Sequence, residues 1–322
     1  MHESNPFTPK EAAAHERLAP RPQVEPPPLA LPEPEYERRV LLPIALFVAT
    51  CLSTFYVGAT SWMPLAYLDS WRAMRIEVGG NLVQGLEYMG AVLAILLTHE
   101  MGHFVTTLVY RIPSSFPYCI PVPINAIGTM GAVIGMDGLK ANRKEMFDLG
   151  LSGPIAGLVV AVPVLWKGIL DLDLSTPGYG LGFYNPLLIQ WMIEWLRPDL
   201  GEVAMVKTSQ LNPYFMAGWV GLLITGLNML PISQLDGGHA IYALFGRRAH
   251  TIARAFLIAA ILFIVIEEVY FWTLMLTLVI LIGADHPPTS DDNVPIGPVR
   301  WIVGVASLAI PILCFPPYGF EI

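Results

Sequence analysis

The stretch "LLTHEMGHFVTT" (96–107) sets His99, Glu100 and His103 inside a run otherwise apolar enough to cross a bilayer. Ionisable groups at that depth are costly, and where they occur they carry function. On a helix, four residues advance about 400°, so His99 and His103 project from one face, one turn apart. That spacing lets two neutral imidazoles grip one zinc ion. Glu100 lies beside the first of them, where a base that takes a proton from water is needed.

Working outward, the composition agrees with a membrane setting. Of 322 residues, 54% are hydrophobic and only 14% charged, against about 25% charged in an average soluble chain. The net charge of −8 and the lack of a basic run exclude a nucleic-acid-binding surface. Three scattered cysteines, Cys51, Cys119 and Cys314, form no CxxC pair and read as buried or lipid-facing thiols. Residues 1–39 are rich in proline and glutamate, lack a signal-like apolar region, and are expected to be a disordered cytoplasmic tail.

Apolar stretches are expected to span the membrane at about 40–59, 82–110, 149–165, 213–230, 252–266, 271–283 and 301–316. The fold expected is therefore an all-α polytopic membrane protein of about six to seven transmembrane helices, occupying 40–322, with a catalytic core at about 82–246. Arg38 and Arg39 before the first span place the N-terminus in the cytoplasm. The clusters Lys140–Arg143–Lys144 and Arg247–Arg248–Arg254 then fall on the same side, and the segment 168–210, expected as a net acidic loop, on the other. One segment fits no helix. "IPSSFPYCIPVPINAIGTMGAVIGM" (112–136) is broken by four prolines and three glycines, and its second half reads as strand. Open strands are tolerated at membrane depth only where protein or water covers them. A small membrane-associated β-hairpin or sheet beside the site is expected; the alternative is a loop lying on the interface.

Two histidines do not complete a catalytic zinc site, which takes three protein ligands. "LNMLPISQLDGGHAIYALFG" (227–246) supplies Asp236, with Gly237 and Gly238 allowing a tight backbone after it. By itself Asp236 reads first as an Asp capping a turn before glycine; the histidine pair makes it the candidate third ligand. His239 reads as a cap on the next helix or a residue facing the cytoplasm; the alternatives are a fourth metal contact or a group supporting the ligands. Asn228, in apolar sequence, either bonds a neighbouring helix or donates to a developing oxyanion. His250, His286, His2 and His15 read as bystanders. Ser152, Gly153, Pro154 and Gly157 of "LSGPIAG" would let their helix approach the histidine helix closely.

HEMGH, the stretch "GTMGAVIGM" followed by "NRKEMFDLGLSGPIAG", and "NPYFMAGWVGLLITGLNMLPISQLDGGHA" resemble the site-2 protease family of intramembrane zinc metalloproteases, in particular its cyanobacterial and plant-plastid branch. The resemblance covers about a third of the chain. It implies one zinc ion per chain held by His99, His103 and Asp236, with Glu100 as base and Asn228 as transition-state helper. It also implies that 112–136 holds substrate in extended form, that the substrates are transmembrane proteins cleaved in or near the lipid bilayer, and that the site opens to the cytoplasm, here of a bacterial plasma membrane. No stretch of 40–322 is long and polar enough to be a PDZ or CBS module. A catalytically inactive scaffold and a metal carrier are the alternative readings; Glu100→Gln separates them from an enzyme.

Overall fold

The computed structural model describes residues 40–136, 138–175, 177–232, 234–283 and 285–321; the expected tail at 1–39 lies outside them. Helix α1 (Leu41–Ala59) is followed by a short surface helix α2 (Trp71–Gly80) and by α3 (Leu82–Tyr110). Twenty-nine residues make α3 about 44 Å long. It ends on Arg111, whose left-handed backbone (φ 58°) turns the chain into the proline-rich segment. There β1 (Tyr118–Val122) and β2 (Gly128–Val133) form the expected antiparallel hairpin.

The hairpin is seated on α1 and α3. The Ser53 hydroxyl donates to the Gly128 carbonyl at 2.6 Å, and Gly128 (φ 86°) comes so close to α1 that a Cβ there would lie 2.9 Å from Thr54 Cα. Its approach segment packs on α3 through stacked Phe104 and Phe116 and a 2.8 Å hydrogen bond between Thr107 and Ser114.

Helix α4 (Arg143–Leu170) starts six residues earlier than the expected span. Asn142 caps it, accepting from the Lys144 and Glu145 amides, while Glu145 accepts from the Asn142 amide. This capping box satisfies amides that would otherwise lack partners and so fixes the start of the helix. Two prolines, Pro154 and Pro163, lie inside α4 without ending it. The stretch 168–210, expected only as a loop, folds into β3 (Gly182–Tyr184), helix α5 (Leu187–Leu196) and β4 (Met205–Lys207).

Next come α6 (Pro213–Asn228), α7 (Asp236–Phe245), α8 (Arg248–Ile266), α9 (Thr273–Ile282), α10 (Pro298–Ser307), α11 (Ile310–Cys314) and β5 (Phe320–Glu321). β5 joins β3 to make a three-stranded antiparallel sheet in the order β4–β3–β5. This sheet rests on the helices: Phe183 meets Trp219 edge-on at 5.1 Å, and the Trp219 indole donates to the Tyr184 carbonyl.

Among the described residues, four helices are long and apolar enough to cross a membrane: α1, α3, α4 and α8. The other apolar segments are shorter than a span needs. α6 has sixteen residues and α9 ten, and the expected last span is divided between α10 and α11. α6 is almost wholly buried between α3, α4 and α11, so the centre of the bundle is α3–α4–α6 with α7 at one end. All three cysteines are free; Cys119 and Cys314 are buried and Cys51 is half-buried.

Candidate metal centre

His99 and His103 face α4, and α4 meets them with glycine. A Cβ at Gly153 would stand 2.5 Å from the Cδ2 and Cε1 carbons of His103 and closer still to Nε2. A Cβ at Gly157 would stand 3.1 Å from His99 Nδ1. Gly150, one turn earlier on α4, plays the same part for α7: its Cβ would lie 2.8 Å from both the Asp236 carbonyl and His239 Cβ. Three glycines at i, i+3 and i+7 thus form one column on α4, each seating a different residue of the cluster. Gly153 and Gly157 are legible in sequence as a close-packing pair. Gly150 is not, because its partner is 86 positions away and only the fold brings it there.

Asp236 arrives by a different route. α6 ends at Asn228, and the chain doubles back through Pro231 before α7 starts on Asp236 itself. A carboxylate in a first helical turn is favoured by the helix dipole. Gly237 is needed for the reversal: a Cβ there would lie 2.6 Å from the Leu230 carbonyl oxygen and inside the Met229 carbonyl.

The result is a triangle of donor atoms. His99 Nε2 and His103 Nε2 are 3.3 Å apart, and each is 3.3 Å from Asp236 Oδ2. A tetrahedral zinc ion with bonds of about 2.0–2.1 Å sets its ligand atoms about 3.3–3.4 Å apart, so the residues fit that ion. Two further observations support the fit. Asp236 Oδ2 is buried and accepts no hydrogen bond, which leaves a carboxylate oxygen without compensation unless a cation supplies it. His103 Nδ1 is 2.9 Å from the Leu149 carbonyl. Facing an acceptor, Nδ1 carries the proton, so the Nε2 lone pair is directed into the triangle.

Glu100 is buried on the same turn of α3 and interacts electrostatically with His103 and Asp236. Asn228 lies at the edge, its Nδ2 amide 3.3 Å from His99 Nε2. The five site residues singled out in the sequence therefore come together, although Asp236 and His99 are 137 positions apart. Among the described residues, His99, His103 and Asp236 form the one cluster able to hold a metal ion.

Three of the remaining histidines lie among the described residues. His239 neither caps a helix nor faces solvent: it is 7% exposed in the body of α7. His286 is no bystander. It is 5% exposed, and its Nε2 is 2.6 Å from His239 Nδ1. His250 bonds the His286 carbonyl at 3.2 Å. His2 and His15 lie outside the described residues.

Comparison with known proteins agrees with this geometry. Residues 88–267, which hold the whole cluster and the hairpin, match the sequence profile of Peptidase family M50. The chain is 35% identical over 168 residues to the probable chloroplastic zinc metalloprotease EGY1 of Oryza sativa subsp. japonica, covering 49% of this chain and 28% of that protein. It is 34% identical over 162 residues to EGY1 of Arabidopsis thaliana, covering 49% and 29%. With the probable chloroplastic zinc metalloprotease EGY2 of Arabidopsis thaliana, the match extends over 266 residues at 26% identity, 80% of this chain and 44% of that one. The chain thus spans less than half the length of these relatives. No solved structure matches it significantly. A buried His–Glu–His turn completed by Asp236, set among helices long enough to span a bilayer and lying inside the matched residues, identifies the chain as an integral membrane protein that belongs to Peptidase family M50.

Proposed function

We propose that the chain is an intramembrane zinc metalloprotease that hydrolyses peptide bonds of membrane-protein substrates within or near the bilayer. The observation that carries this reading is the donor triangle with 3.3 Å edges beside a buried Glu100, inside a helix long enough to cross the membrane.

His99, His103 and Asp236 would hold the metal, and zinc there would supply Lewis acidity toward the scissile carbonyl and the attacking water. Glu100 takes the proton of the attacking water and returns it to the leaving amine. The Asn228 amide donates to the oxygen that becomes negative as the carbonyl is attacked; such donors act because their dipoles are already oriented. A helical substrate conceals its amides in its own hydrogen bonds, so it has to be drawn out before attack. The β1–β2 hairpin, whose approach segment packs against α3 at Phe104, supplies backbone groups that pair with an extended chain.

The proposed unit is a protease domain at 40–322 with its core at 82–246, preceded by the tail at 1–39. α6, α9 and the α10–α11 pair complete six to seven membrane segments around the four long spans. The concentration of Lys140, Arg143, Lys144, Arg247 and Arg248 at the α7 end supports an N-terminus and a site opening on the cytoplasmic side of a bacterial plasma membrane. The curated relatives named above are chloroplast proteins, and the same charge asymmetry would set the orientation in a plastid membrane.

The test compares wild type with Glu100→Gln for zinc content and for cleavage of a membrane-protein reporter. The variant is expected to keep one zinc per chain and to lose about 10²–10⁴-fold in rate. Unchanged cleavage would refute the mechanism. A metal carrier would transport metal irrespective of this substitution.

A further inference from the structure

Beyond residue 267, where the family match ends, the chain leaves α9 and runs as a strap (285–297) back over α7 before entering α10. The strap is fastened along its length. The Ser290 amide donates to the Ala141 carbonyl, the Arg143 amide donates to the Asp291 carbonyl, and Ile296 is buried with Phe147 and Leu244.

Its tightest contact is with α7. The Nδ1 of His286 faces the Pro287 carbonyl at 2.5 Å and so carries the proton. In the neutral ring Nε2 is then an acceptor, and the 2.6 Å contact to His239 is a bond donated by His239 Nδ1. Tyr242, three residues beyond His239, stacks on the His286 ring at 4.4 Å and 15°, and its hydroxyl donates to Asp292 at 2.8 Å. On the opposite side, the first turn of α7 is pressed against Gly150 of α4 at the Asp236 carbonyl and His239 Cβ.

The turn that carries Asp236 is therefore gripped between α4 and the strap. We propose that His286 is a positioning residue for the metal centre: by holding His239 it fixes the first turn of α7, and with it the Asp236 carboxylate, in the donor triangle. The inference rests on Asp236 being a zinc ligand, as proposed above, but not on proteolysis. α7 is only ten residues long and Leu235 offers its N-terminus no side-chain cap. Isolated helices of that length are marginal, so its register depends on what packs against it.

The experiment uses the full chain in detergent with Glu100→Gln as the parent, to prevent self-cleavage. It reads the rate of zinc release to a chromogenic chelator and the visible absorption of the cobalt(II)-substituted protein, which reports ligand geometry. His286→Leu is expected to release zinc about tenfold faster, as loss of supporting contacts around metal ligands typically does, and to change the cobalt band. His286→Gln, whose Oε1 can accept from His239 Nδ1, is expected to stay within about threefold of the parent.

A merely structural role would lower the thermal stability of the metal-free protein in both variants alike and leave zinc release equally fast in both; that result overturns the proposal. So does an unchanged release rate in His286→Leu. If His286→Leu does not fold, Tyr242→Phe cuts the tie to Asp292 while keeping the stack. It is expected to release zinc several-fold faster, and a parental rate would overturn the proposal. A wild-type chain that holds zinc but cleaves nothing removes the protease reading and leaves the clamp standing. A wild-type chain that binds no zinc removes both.

Discussion

Replacing Gly153 by alanine adds a single methyl group, and the structure says where it goes. The new carbon would lie 2.5 Å from the Cδ2 and Cε1 atoms of His103, where ordinary carbon contacts are about 3.5 Å. The imidazole would have to retreat by about 1 Å, whereas metal–ligand distances tolerate only about 0.2 Å. Backbone propensity pulls the other way: in a helix interior, alanine is favoured over glycine by about 1 kcal/mol. If α4 were only a structural helix, Gly153→Ala would stabilise the protein. With His103 held against α4, it is expected to lose most of its zinc and at least about 10²-fold in cleavage, the scale set by an ångström of misplacement.

Gly157→Ala is a graded partner, because its methyl would meet His99 Nδ1 at 3.1 Å and needs only a few tenths of an ångström. A loss of about tenfold or less is expected. Gly90→Ala on α3 is the control, since nothing lies within 4 Å of the added carbon. Zinc is measured by elemental analysis of the purified chain, and cleavage by gel assay of a membrane-protein reporter. Gly153→Ala protein that carries one zinc per chain and cleaves within about threefold of wild type would refute the packing of the α3 histidines against α4.

Asn228→Ala is expected to keep zinc but to slow cleavage by about 10²–10³-fold, the usual cost of removing an oxyanion donor; zinc loss, or an unaltered rate, would assign Asn228 another role. Acidification is expected to loosen the strap. Burial, aided by the charge of His250, holds the His286 pKa below that of a free histidine, although the Pro287 carbonyl and Asp292 oppose the shift. Burial raises the Asp292 carboxyl, but bonds from Thr289 and Tyr242 outweigh it and hold the group below the usual carboxylate range. Both pKa values are depressed by folding, so the His286 contribution is full above about pH 6.5 and is lost as pH falls through its lower folded value. Asp292 follows at still lower pH, its contribution beginning to fail below about pH 4. Strap amides, corrected for intrinsic exchange, should therefore exchange faster at about pH 5 than at about pH 7.5; equal or greater protection in acid would contradict this.

Residues whose role is set by local periodicity were readable from the chain alone. The i, i+4 histidines fix a shared helical face whatever surrounds them, and Pro113–Pro123 rule out a helix in any context. Asp236 was found through its neighbours, Pro231 and Gly237, which announce a reversal. Other features depend on distant partners. β3 and β4 have three residues each and β5 two, too few for an alternation to register. α6 at sixteen residues is short for a span and is tolerated because α3, α4 and α11 cover it. His286 stands before two prolines and reads as a turn residue; only the return of the strap over α7 buries it.

The glycine column on α4 has a mechanical consequence. Helices joined backbone to side chain without intervening methyl groups have little room to rotate or slide past one another, so α3 and α4 move as one stiff slab. Any opening that admits a polypeptide therefore concentrates where packing is more compliant. The second half of α1 is tied just as closely, to α3 at Gly58 and Gly85 and to the hairpin at Gly128, whereas its first half is largely exposed, with Leu41 at 85%. Stiffness at the metal centre thus assigns compliance to the free end of α1.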